Sequence, residues 1–121
     1  MEMTKPKVLV LDDEENILSA FRNFLEKEHC EMITASNAEE AGGILERERI
    51  KLLITDIRLG GISGVTFFIE AKRLHPELPV IVITGYPDVV TEEQIRTYGA
   101  DYFFLKPLDL DKLRHAVKEC L

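Results

Sequence analysis

The residues of this chain that could do chemistry stand where its apolar runs end. VLVL at 8–11 stops on Asp12-Asp13-Glu14, LLIT at 52–55 on Asp56, VIVI at 80–83 on Thr84, and YFFL at 102–105 on Lys106. Taken singly, each has a plain explanation. The dipole favours acidic residues at a helix start, so Asp12 and Asp13 read as caps. Aspartate is a common turn former after a strand. A threonine or a lone lysine says little. Four such ends on one rim of a fold are a different matter, because a site needs polar groups that converge.

Their chemistry follows from their charge. Carboxylates a few ångströms apart repel and raise one another's pKa, so Asp12, Asp13 and Asp56 fit together around a hard divalent cation. Oxygen ligands with no His or Cys nearby favour Mg²⁺. A cation held this way keeps coordination positions for phosphate oxygens, and a lysine and a hydroxyl on neighbouring strands can hold the remaining ones. A carboxylate is also a nucleophile toward phosphorus. The set can therefore make and hold an acyl phosphate.

Positioning these residues takes a sheet. The unbroken apolar runs at 8–11, 52–54 and 80–83 have the pattern of strands covered on both faces, hence parallel. Weaker strands are expected at about 31–35 and at 102–105. Helical spacing lies between them. Ile17, Phe21 and Leu25, widened by Leu18 and Phe24, form one stripe. Asn37, with Glu40 at the third helical position, opens a second helix that turns Ala41, Ile44 and Leu45 inward. A third carries Phe67, Ala71 and Leu74 and ends at His75-Pro76. A fourth, after Pro87-Asp88, is weakly patterned through Val89, Val90 and Ile95 and stops before Gly99. Asp109 caps a fifth that buries Leu110, Leu113 and Val117. This fivefold strand–helix alternation predicts an α/β, doubly wound, three-layer domain, with right-handed crossovers placing helices on both faces. Such folds bind ligands at the carboxyl ends of the strands, where strand order reverses.

Composition narrows the field further. A chain of 121 residues with 45% apolar content fits one domain over 1–121. Its net charge of −7 argues against binding nucleic acid or anionic membrane by itself. The apolar run near the N-terminus is too short for a signal-peptide core or a membrane span, which points to the cytoplasm. Cys30 and Cys120 belong to no C-x-x-C pattern and read as reduced thiols. His29, His75 and His115 are scattered, with no zinc-site spacing.

VLVLDDE at 8–14, Thr55-Asp56 with Gly64 eight positions later, VITG at 82–85 and Lys106-Pro107 together strongly resemble the receiver domain of two-component response regulators, the CheY-like type. The match runs from about residue 7 to the last helix. It implies the flavodoxin-like parallel order 2-1-3-4-5. It also implies that Asp56 accepts a phosphoryl group from a histidine kinase or histidine phosphotransfer protein, without the chain being an enzyme toward other substrates. Asp13 and Asp56 would bind Mg²⁺ directly with the backbone carbonyl of Arg58, and Asp12 mainly through water. Thr84 would hydrogen-bond the phosphoryl group and Lys106 pair with it. Phe103 takes the place of the switching aromatic. The Lys106-Pro107 peptide would be cis, an isomer found in about 5–6% of X-Pro bonds. Phosphorylation would draw Thr84 in, let Phe103 rotate inward, and reshape the face of the fourth helix, fifth strand and fifth helix toward an output domain, a partner protein, or a second copy in a phosphorylation-dependent homodimer.

Some positions depart from the family's pattern. Gly60 stands where proline is common, which loosens the loop. Phe103 lacks the hydroxyl of the commoner tyrosine. Arg58 and Tyr86, two positions beyond Asp56 and Thr84, would screen the phosphoryl group and slow its hydrolysis. Two other readings compete. A phosphohydrolase of the haloacid dehalogenase type needs a second Asp two residues after its nucleophile, where this chain has Arg58. A scaffold that is never phosphorylated would not need the acidic pair, nucleophile, hydroxyl and lysine together.

Overall fold

Strands form where the unbroken apolar runs predict them, because each run is buried on both faces. In the computed structural model, which describes residues 5–57, 64–85 and 92–121, five strands and five helices alternate. They are β1 (Lys7–Leu11), α1 (Glu15–Lys27), β2 (Glu31–Ala35), α2 (Ala38–Arg47), β3 (Ile50–Asp56), α3 (Gly64–Leu74), β4 (Val80–Thr84), α4 (Glu92–Thr97), β5 (Tyr102–Leu105) and α5 (Leu110–Cys120). All pairings are parallel and the order is β2-β1-β3-β4-β5. β3 begins two residues before its apolar run, at Ile50, where a register irregularity sets Lys7 and Val8 of β1 against it.

Alternate strand residues feed two cores. Leu9, Leu11, Leu53, Val80 and Val82 pack with α2, α3 and Ile95 of α4. Val8, Val10, Leu52, Ile54, Ile81 and Ile83 pack with α1 and α5. The helix signals act locally as their chemistry dictates. Asn37 Oδ1 accepts from the Glu40 N–H at 2.8 Å, and Asp109 takes the N–H groups of Asp111 and Lys112. α1 and α4 both end in a Schellman turn, with a left-handed residue at His29 (φ 58°) and Gly99 (φ 111°).

Two expected core positions are not buried. Leu74 is 53% exposed and Leu110 is 50% exposed. Each satisfies the helical period, but each stands at a helix terminus: Leu74 is the last residue of α3 and Leu110 the first of α5. Val89 and Val90, expected in the fourth helix, lie outside the described residues. Cys30 and Cys120 are free thiols. No helix among the described residues is long and apolar enough to cross a membrane.

Candidate functional site

Parallel register brings the strand ends to one edge. Leu11 faces Thr55, Asp56 faces Ile83, and Thr84 faces Leu105, so Asp12, Asp56, Thr84 and Lys106 all emerge at the carboxyl edge of the sheet. Among the described residues, the buried polar side chains are Asp12, Thr55, Asp56 and Thr84. All four belong to this rim.

Asp12 is fully buried at the end of β1, and its Oδ1 accepts from the Glu14 N–H at 2.8 Å. This bond closes a turn onto Glu14, the N-cap residue of α1, and the helix has no side-chain cap, so Asp12 does not cap it as its residue type alone suggests; its other oxygen points into the cluster. Asp13 and Glu14 are exposed beside it. Asp56 ends β3 with 2% exposure. α3 starts directly over it because residue 64 is glycine: the Gly64 N–H donates to the Ile57 carbonyl at 3.0 Å, and a Cβ there would lie 2.5 Å from the Asp56 carbonyl oxygen. Thr55 donates its hydroxyl to that same carbonyl at 2.9 Å. Thr84 ends β4, fully buried.

Lys106 joins the two sides. Its N–H donates to the Thr84 carbonyl at 2.8 Å, and its Nζ lies 2.9 Å from Asp56 Oδ2, 2.8 Å from Glu14 Oε1 and 3.0 Å from Asp12 Oδ2. Burial of the ammonium alone would lower its pKa. Hydrogen bonds to Glu14 and Asp56, with the negative charge of Asp12 beside it, outweigh that and hold it above the usual lysine value. Asp12 shows the opposite balance, since burial raises its pKa against the pull of the Glu14 N–H and of Lys106. The Lys106-Pro107 peptide is cis, and Phe103 is half-buried against the α2–α3–α4 core. Arg58, Gly60 and Tyr86 lie outside the described residues.

Carboxylate oxygens of Asp12, Asp13, Glu14 and Asp56 lie within 4.8 Å of one another. The Lys106 contact to Asp12 Oδ2 is an ion pair without hydrogen-bond geometry, so this buried oxygen has no hydrogen-bond donor. An all-oxygen donor set with an unsatisfied buried carboxylate oxygen fits a hard divalent cation such as Mg²⁺. Two members of the site stand in the motifs read from the sequence but carry no role of their own there. Glu14 reads as an ordinary acidic helix start, and nothing in its spacing shows that it meets a lysine 92 positions away. Thr55 looks like part of an apolar run.

Comparison with known proteins agrees with this geometry. Residues 8–118 match the family model described as the response regulator receiver domain. The chain is 35% identical over 119 residues to the response regulator protein PilR of Pseudomonas aeruginosa, covering 98% of this chain and 27% of that protein. It is 29% identical to sporulation initiation phosphotransferase F of Bacillus subtilis, over 98% of this chain and 96% of that one. Among solved structures, the response regulator protein TrrA of Thermotoga maritima in complex with Mg²⁺-BeF superposes with a TM-score of 0.86 at 31% identity, covering 96% of this chain and 99% of that one. The chain spans about a quarter of the length of PilR and of the transcriptional regulatory proteins GlrR and QseF that it also matches.

Proposed function

The chain belongs to the response regulator receiver family, and on that premise we propose that Asp56 is its phosphoryl acceptor. The chain is a phosphoacceptor receiver of two-component signalling, and the proposal concerns which atoms do the work. The observation that carries it is the placement of Lys106 Nζ, 2.9 Å from Oδ2 of a carboxylate that is 2% exposed at the carboxyl edge of a doubly wound sheet.

In the transfer, an Asp56 oxygen attacks the phosphorus of a phosphohistidine. The P–N bond breaks, its electron pair stays on the imidazole, and an acyl phosphate forms on Asp56. Lys106 places a cation beside the oxygens that carry the incoming charge, and Thr84, one residue beyond the strand partner of Asp56, offers a hydroxyl to the phosphoryl group. Asp13 and Asp56, with the carbonyl of Arg58, would hold Mg²⁺ directly, and Asp12 mainly through water. Mg²⁺ there offsets the charge of the carboxylates and of the phosphate oxygens. Phe103, packed on the same face of the sheet as Val82, is the ring that follows Thr84 when the α4–β5–α5 face changes shape.

This reading makes residues 1–121 one receiver domain in the cytoplasm, which assists only its own phosphorylation and dephosphorylation. Its donor would be a histidine kinase or histidine phosphotransfer protein. Its output would be a domain or partner that reads the switched face, including a second copy. The test is incubation with acetyl phosphate, with and without Mg²⁺, followed by intact mass. A single base-labile phosphate that needs Mg²⁺ and is lost in Asp56→Asn is the expected result. A phosphate that persists in Asp56→Asn refutes the assignment.

A further inference from the structure

α2 and α3 do not close against each other along their outer edges. Between them runs a groove of about 370 Å³, floored by Leu45, Phe67 and Ala71 and open beside Leu74, which is half-exposed at the end of α3. None of its lining residues belongs to the acidic cluster of the phosphorylation site.

The walls are helices whose backbone groups are bonded internally, so they offer no strand edge to an incoming chain. An occupant must satisfy its own backbone, as a helix laid in a groove does. Charge fixes the occupant's rim. Glu39 and Glu46 on α2 and Glu70 on α3 border the apolar floor, and no lysine or arginine lines it. Glu70 is paired with Arg73, whereas Glu39 and Glu46 make no ion pair among the described residues.

Gly42 adds an independent observation. It sits in the interior of α2, where glycine weakens a helix, and it lines the groove. A Cβ built at Gly42 meets nothing within 4 Å, whereas one at Gly64 would collide with backbone at 2.5 Å. Nothing within the fold requires glycine at 42. What its missing side chain does is leave the groove wide enough for another helix to approach the α2 backbone closely.

We propose that the α2–α3 groove is a docking site for a basic amphipathic helix of a partner protein, whose apolar side chains fill the floor and whose Lys or Arg side chains meet Glu39 and Glu46. This surface is separate from the α4–β5–α5 face, and the inference does not depend on which residue is phosphorylated.

The test uses the ¹⁵N-labelled 121-residue chain with Mg²⁺ in excess, so that the acidic cluster is not left to attract cations. The probe is a synthetic helical peptide with leucines at i, i+3, i+4 and i+7 flanked by lysines. A second peptide keeps the leucines and replaces the lysines by glutamates. Expected are amide shifts confined to α2 and α3, and binding weaker by about tenfold or more for the glutamate peptide, as unfavourable charge at a rim dictates. Gly42→Phe should abolish binding without changing Mg²⁺-dependent phosphorylation by acetyl phosphate. Glu39→Lys with Glu46→Lys, which leaves the groove's volume alone, should reverse the preference between the peptides. The proposal is overturned by any of several results: no shifts at millimolar peptide, shifts mapping to the Asp12–Asp56 rim, equal binding of the two peptides, or unchanged binding by both variants. Self-association that Gly42→Phe abolishes would assign the groove to a second copy, and also overturns it.

Discussion

Each end of the sheet sets a lysine near an aspartate, and the two pairs do opposite things. At the amino edge, Lys72 Nζ donates to the Leu78 carbonyl at 2.7 Å and to the Pro76 carbonyl at 3.4 Å, closing the turn into β4. Asp101 accepts from the Val80 N–H and gives its own N–H to the Val80 carbonyl, both at 2.9 Å, tying β5 to β4. Lys72 and Asp101 themselves are 4.0 Å apart. Their polar groups are spent on backbone. At the carboxyl edge, Lys106 instead faces the side chains of Asp12, Glu14 and Asp56, and a buried oxygen of Asp12 is left without a donor. Among the described residues Glu28 Oε1 is the other buried side-chain oxygen without a donor, and it lies only 3.8 Å from Lys118 outside any carboxylate cluster, whereas the Asp12 oxygen sits among three further carboxylates, which marks the carboxyl edge as the one kept for a ligand.

Separating the two edges by mutation gives the largest expected effect. Asp56→Asn should abolish acyl phosphate formation, whereas Asp101→Ala should leave it near the wild-type level; intact mass after acetyl phosphate treatment measures both. If Asp101→Ala abolished it too, the division of labour would fail. Next comes the response to Mg²⁺. At a free concentration about a hundred times its Kd, a ligand that binds only the folded state stabilises by about 2.7 kcal/mol. Thermal unfolding should show such a gain in the wild-type chain and in Lys72→Ala, and little of it in Asp13→Asn.

Smaller effects concern stability without metal. Asp101→Ala strands the Val80 N–H and should cost about 1–2 kcal/mol, read by urea unfolding. Asp12→Asn should move the other way. Burial outweighs the attraction of Lys106 for this carboxylate, so a neutral side chain of the same shape should stabilise the metal-free fold by about 1 kcal/mol. A destabilised Asp12→Asn would mean that the cluster already holds itself together, and would erase the contrast with the amino edge.

How legible these edges were in the sequence differs as much as their roles. The carboxyl rim could be read because Asp12, Asp56 and Thr84 end or directly follow strands buried on both faces, and Lys106 follows a partly buried edge strand parallel to them, which together set the edge they reach. The caps at Asn37 and Asp109 were equally plain, being local. The amino edge was opaque: Lys72 reaches Leu78 across a turn, and Asp101 meets Val80 only because β5 pairs with β4. The contact of Glu14 was hidden for the same reason, as its partner Lys106 is remote in the chain. Leu74 and Leu110 misled because periodicity reports the face of a helix and says nothing of where the neighbouring layer ends. Nothing in the sequence sets Gly42 apart; the open space beside it does.

The smallest predicted effect tests whether the amino edge is concerned with folding alone. Two of the turns at that edge, after α1 and after α4, use a left-handed residue. Gly99 supplies one at the end of α4, where a Cβ would come within 3.1 Å of Lys72 Cε. The turn after α1 uses His29, exposed, at φ 58°. An L-residue pays for that conformation with a Cβ clash that glycine avoids, partly offset by the greater freedom of glycine in the unfolded chain. His29→Gly should therefore stabilise by about 0.5–1 kcal/mol, measured by urea unfolding, with unchanged phosphorylation. If it destabilised instead, the imidazole would have to be contributing a contact of its own, and the amino edge could no longer be described as serving the backbone alone.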